Sequence, residues 1–147
     1  MIKIQSKPFS VERIISSIVK NNSKIGAICS FIGYVRDFHD SNNSKLKQLL
    51  IEHYDGMTEK KILDIVMLAK TKWLLEDIHI YHRIGYLKLS DPIVLIVVAS
   101  EHRDEAFEAC QFLIDFLKVK APFWKKEISF GKSEWVSQKS SDVIKTF

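Results

Sequence analysis

The chain is poor in the residues that staple or punctuate a fold: two cysteines, three prolines and five glycines in 147 residues. Cys29 and Cys110 lie inside apolar runs without Cys-x-x-Cys spacing, so they read as small buried hydrophobes, which argues against zinc and redox chemistry. No apolar run approaches the roughly 20 residues that cross a bilayer, and residues 1–10 lack the charged-then-apolar pattern of a signal peptide. A cytoplasmic protein is expected. A Gly-x-Ser-x-Gly elbow, a phosphate-binding glycine loop, a dinucleotide fingerprint and a His-Glu-x-x-His helix are all missing. The five histidines have no metal spacing. Arginine is scarce, limited to Arg13, Arg36, Arg83 and Arg103.

What is present is an ordinary globular composition, 46% hydrophobic and 27% charged. A chain of this length buries roughly two-thirds of its unfolded surface, enough for a core without staples. One domain over residues 1–147 is expected, with neither cofactor nor metal. The net charge of +4 favours an anionic partner without specifying one.

Ile2 and Ile4 alternate with Lys3 and Gln5 as in a short half-buried strand. Ser10 stands as an N-cap before Val11, Ile14, Ile15, Ile18 and Val19, which share one helical face. Residues 25–35 are almost continuously apolar and predict a buried strand ending at Arg36, whereas residues 37–47 lack periodicity and predict a mobile loop. Residues 49–54 predict a strand closed by Asp55-Gly56, and Ile62, Ile65, Val66, Ala69 and Trp73 mark a second helix. Ile78 and Ile80 alternate with His79 and Tyr81, which turns His79 toward solvent. Residues 93–99, the most hydrophobic segment, belong in the sheet centre. Ser100 is expected to cap the longest helix, which buries Ala106, Cys110, Leu113 and Leu117 until Ala121-Pro122 stops it. Residues 124–130 and 133–136, joined by Gly131-Lys132, predict a hairpin, and residues 137–147 a loose tail. The order gives a mixed α+β domain whose helices cover one sheet face, with other strands in an end layer.

Cations gather at the ends of these elements: Arg36, His82-Arg83, His102-Arg103, and Lys118, Lys120, Lys125 and Lys126 around Pro122. Singly, each reads as a strand-end cation reaching for water. Together they point to an anion site. Arg103 falls in the first turn of its helix, where the macrodipole already favours an anion, so it calls either for a salt bridge to Glu101 or Asp104 or for an anionic ligand. Lys118 suits the other end of that helix. Fifteen residues at about 1.5 Å each separate the two by roughly 22 Å, so a site using both would lie across a dimer interface. Lys118 and Lys125 flank the rigid Pro122 turn and can converge on one pocket. From the residues alone the reading is a basic, lysine-using, metal-free anion site of unnamed substrate.

At these same residues the chain resembles the large, catalytic subunit of molybdopterin synthase. The matching segments are Gly26-Ala27 through Phe31-x-Gly33-x-Val35-Arg36, Glu52-His53-Tyr54-x-Gly56-Met57, His82-Arg83-Ile84-Gly85-x-Leu87, Ser100-x-His102-Arg103-x-x-Ala106-Phe107-x-Ala109, and Asp115-x-x-Lys118-x-x-Ala121-Pro122-Phe123-Trp124-Lys125-Lys126-Glu127. Gly131 and Trp135 also fit. The resemblance implies an α/β hammerhead-type fold with an added antiparallel β subdomain. It also implies a sulfur transferase that converts cyclic pyranopterin monophosphate to molybdopterin. The sulfur would come as a thiocarboxylate on the C-terminal Gly-Gly of a small ubiquitin-like carrier. A dimer of the large subunit would form the core of a heterotetramer, without nucleic acid or membrane. The implied catalytic residues are Lys118 and Lys125. Arg36, His102 and Arg103 would bind substrate, the last two in the neighbouring subunit's pocket, and Phe31 and Pro122 would shape the channel for the carrier's tail. Two other readings compete: a polyanion or nucleic-acid binding module, suggested by Phe123-Trp124-Lys125-Lys126, and a catalytically silent scaffold for the carrier.

Overall fold

The computed structural model describes residues 1–37, 46–129 and 131–137, with side chains of the strand that starts at Leu46 described from Gln48 onward. Eight strands and three helices are seen among them. One four-stranded sheet is built from β1 (Ile2–Gln5), β2 (Ala27–Tyr34), β4 (Asp77–Arg83) and β6 (Pro92–Ser100), in the order β1-β4-β6-β2. Only β1 and β4 run parallel in it.

β6 is apolar throughout because both of its faces are covered. Val94, Ile96 and Val98 pack into a core with Ile62, Ile65 and Ala69 of α2 (Met57–Lys72) and Leu113 and Leu117 of α3 (Arg103–Lys120). Leu95, Val97 and Ala99 point the other way, under Ile14, Ile15 and Ile18 of α1 (Val11–Asn21). The expectation that the helices cover one face is therefore corrected: α1 lies opposite α2 and α3. A sheet centre with no polar alternation requires two covers, and the continuous run at β6 is the mark of it. The strand expected to be buried at residues 25–35 is an edge, and most of β2 is only half-buried.

A second, antiparallel sheet has the order β5-β3-β7-β8, made by β3 (Leu46–His53), β5 (Gly85–Leu87), β7 (Phe123–Ser129) and β8 (Lys132–Trp135). Leu49 and Ile51 of β3 turn into the larger core, which joins the two sheets. Gly85 and Gly131 both have φ above +70°, the conformation glycine adopts without steric cost, where the chain turns into β5 and between β7 and β8. Strand β5 was not separately expected, since three residues carry no measurable period.

Ser10 caps α1 as expected, its Oγ accepting from the Arg13 amide at 3.4 Å. Ser100 does not cap α3. It is the last residue of β6, donates to the Leu74 carbonyl and accepts from the His102 amide, while His102 takes the cap position without a side-chain bond. His79 is buried rather than solvent-facing, with Nε2 3.0 Å from Asp77 Oδ2, because the face it shares with Tyr81 is itself covered. Cys110 is buried and Cys29 half-buried. The expected loop at 37–47 lies mostly outside the described residues, and at its end Leu46 and Lys47 already belong to β3. The tail from 138 onward also lies outside them.

Candidate active site

Helix α3 ends at Ala121, whose extended backbone leads through Pro122 into β7. Lys118 stands in the last turn, where the unsatisfied carbonyls and the negative end of the helix dipole favour a cation. Along β7 the side chains alternate. Phe123, Lys125 and Glu127 turn toward the space beside Lys118, while Lys126 turns away and lies 5.3 Å from the centre of the Trp135 ring. The aromatic-basic run Phe123-Trp124-Lys125-Lys126 is thus divided between two faces and offers no continuous platform. Arg36 reaches the same space from the exit of β2, where the Val35 amide donates to the Asp91 carbonyl at 2.9 Å.

Between these elements lies a cavity of about 570 Å³. Its apolar walls come from Phe31 and Val35 at β2, Leu49 of β3, Ile93 and Val94 of β6, Ile114 and Leu117 of α3, and Phe123 of β7. Among the described residues, Arg36, Lys118 and Lys125 give it three cations against one carboxylate, that of Glu127. Such a chamber suits an anion with an apolar or aromatic body. Gly33 keeps one wall back, since a Cβ there would stand 2.9 Å from Val94 Cγ1.

His82, grouped by sequence with the strand-end cations, is corrected to a neutral wall residue. It is 6% exposed, its ring stacks on Phe123 at 3.7 Å and 12°, and burial together with the neighbouring Lys125 charge lowers its pKa to about 3. Arg83 is also buried. It clamps the chain between β1 and α1 to the start of β6 through the Ser6 and Pro92 carbonyls at 3.3 and 3.2 Å, with Asp91 Oδ2 3.6 Å away. That clamp explains the charge at a strand end without a ligand.

His102 and Arg103 are not brought to this cavity within one chain. They stand at the opposite end of α3 with side chains 72% and 84% exposed, His102 lying 3.9 Å from Glu101 and Arg103 3.8 Å from Asp104. Exposed pairs of this kind contribute little. Phe31 lines the cavity, whereas Pro122 acts through the turn, its carbonyl held by Thr58 Oγ1 at 3.1 Å. Among the described residues one group could offer three metal ligands, His53, Asp55 and Glu59. There Glu59 already accepts from the Gly56 amide at 2.8 Å as the cap of α2.

Residues 4–120 match the model of the MoaE protein family. The chain belongs to this family. Among curated relatives, the molybdopterin synthase catalytic subunit of Ralstonia nicotianae is 44% identical over 96% of this chain and 79% of its own length. That of Vibrio cholerae is 41% identical over 96% and 92%. The crystal structure of molybdopterin synthase from Staphylococcus aureus superposes with a TM-score of 0.84 at 36% identity, covering 92% of this chain and 96% of that one. The MoaE fold is thus the mixed α+β architecture expected, second sheet included. In this MoaE chain the signal for Glu127 was present in the sequence, two residues beyond Lys125 on an alternating strand. The burial of His82 had none, because alternation assigns a side chain to a face and not the face to solvent or core.

Proposed function

We propose that this MoaE chain is the catalytic subunit of a molybdopterin synthase, acting in the cytoplasm on cyclic pyranopterin monophosphate with sulfur from a small carrier protein. The observation that carries this reading is the convergence of Arg36, Lys118 and Lys125, from three separate elements, on one apolar-walled cavity. A thiocarboxylate and a cyclic phosphate repel one another, and concentrated positive charge in a partly dry pocket offsets that repulsion. Relatives named as catalytic subunits support a second, separate subunit, and the carrier's thin Gly-Gly tail would enter past Phe31.

Arg36 holds the phosphate. Lys118 positions the substrate and polarises the carrier's carbonyl, and Lys125 assists attack by the sulfur and the departure of the acyl group. In each transfer a carbon–sulfur bond forms on the pterin as a carbon–oxygen bond on the same carbon breaks, the oxygen leaving once as water and once with the phosphate as its ring opens, and the acyl–sulfur bond of the carrier breaks. Water adds its oxygen to the carrier's acyl carbon, which remains as a carboxylate. Two transfers complete the dithiolene. His102 and Arg103 act in the pocket of a second copy, so the working unit is a dimer flanked by two carriers.

The test incubates the protein with a carrier bearing a C-terminal thiocarboxylate and the cyclic pterin, and follows both by mass spectrometry. Two sulfurs on the pterin, with the carrier C-terminus returned as carboxylate, are expected. A carrier that binds and keeps its sulfur contradicts the reading and leaves only a scaffold.

A further inference from the structure

His82 lies at the end of β4 in the cavity wall, and nothing above gives it a task. Its Nδ1 is 2.9 Å from the Arg83 carbonyl oxygen. A carbonyl only accepts, so Nδ1 carries the proton and Nε2 keeps its lone pair. The Phe123 ring, stacked at 3.7 Å, fixes the plane of the imidazole, and Phe123 is two residues from Lys125 on the same face of β7. Beside the Glu127 carboxylate, the pocket therefore offers a rigid, neutral acceptor to its cations, and protonation is opposed by burial and by the charge on Lys125.

We propose that His82 is a positioning residue for sulfur transfer: its Nε2 accepts an N–H from the Lys125 ammonium and holds that amine toward the reacting groups. This rests on the functional reading above and deepens it. A carboxylate in the same place would bind the ammonium more tightly but would cancel the charge that gathers the anions. A neutral nitrogen orients the lysine and leaves its charge intact.

The test compares His82→Phe, which keeps the stacking and removes the acceptor, with His82→Gln, which returns an acceptor near the Nε2 position. In the carrier-dependent assay, His82→Phe lowers kcat about tenfold, the worth of one hydrogen bond to a charged group, with KM for both substrates unchanged. His82→Gln recovers most of that loss. His82→Phe added to Lys125→Ala lowers kcat no further. Full additivity with Lys125→Ala, or a wild-type kcat in His82→Phe, overturns the proposal. A readout independent of turnover separates its failure from failure of the functional reading. The ¹⁵N resonance of His82 Nε2 in otherwise wild-type protein shifts toward that of an unbonded imidazole nitrogen in Lys125→Ala, and an unmoved resonance overturns the assignment.

Discussion

The two ends of α3 carry the same kind of charge in opposite surroundings. At the C-terminal end the dipole favours Lys118, the turn at Pro122 brings Lys125 beside it, and Arg36 completes a shared cavity. At the N-terminal end the dipole opposes Arg103, which is 84% exposed and lies 3.8 Å from its neighbour Asp104. The first end is a site already assembled by one chain. The second is a pair of exposed side chains whose contacts with their sequence neighbours contribute little and which lie open to another molecule. On the functional reading proposed here, that molecule is a second copy.

Substitutions at the assembled end act directly on turnover. Lys118→Ala lowers turnover about 10³-fold, the scale of losing a charged group that stabilises a transition state, while complex formation with the carrier is retained in a pull-down. A near-normal rate would remove Lys118 from the chemistry. Lys125→Ala lowers it about 10²-fold by the same reasoning, measured under the same saturating substrates. A loss confined to KM would demote Lys125 to binding alone.

Acid comes next. Folding holds His82 neutral with a pKa near 3, against 6.5 for the ordinary imidazole. The unfolded chain therefore binds the extra proton between those values, and stability falls as pH drops through them, by up to about 1.4 kcal/mol per pH unit. Urea midpoints measured at about pH 7 and about pH 5 should separate in wild type and draw closer in His82→Phe. An equal separation in both would mean that His82 is not the group responsible. The smallest effect on stability belongs to the open end: Arg103→Ala should change unfolding free energy by no more than about 0.5 kcal/mol, as expected for an exposed cation opposed by its helix dipole. A larger loss of stability would show a structural role that the comparison of the two ends does not allow.

Periodicity made much of this legible in the sequence. The apolar stripe of α3, the apical cap at Ser10 and the central place of β6 follow from spacing alone, because burial leaves its period in the residues. The convergence of Lys118 and Lys125 is legible through the Pro122 turn, whereas Arg36, far away in the chain, joins them only through the family resemblance. Other features left no such trace. The coverage of both sheet faces, the burial of His79 and the neutral state of His82 depend on which elements pack over a strand, and that information lies far away in the chain. Ser100 was misplaced as a helix cap because a serine that satisfies two backbone groups at a strand end looks the same in sequence as one that starts a helix.

The shared pocket is tested most directly by mixing. Arg103→Ala and Lys118→Ala proteins, each inactive alone, are unfolded together, refolded in equal amounts and assayed with thiocarboxylated carrier. A hybrid dimer holds one pocket with both groups intact, so the mixture should recover about a quarter of wild-type turnover. No recovery, with hybrid dimers demonstrably formed, would contradict the account that the two ends of α3 meet across two copies of the chain.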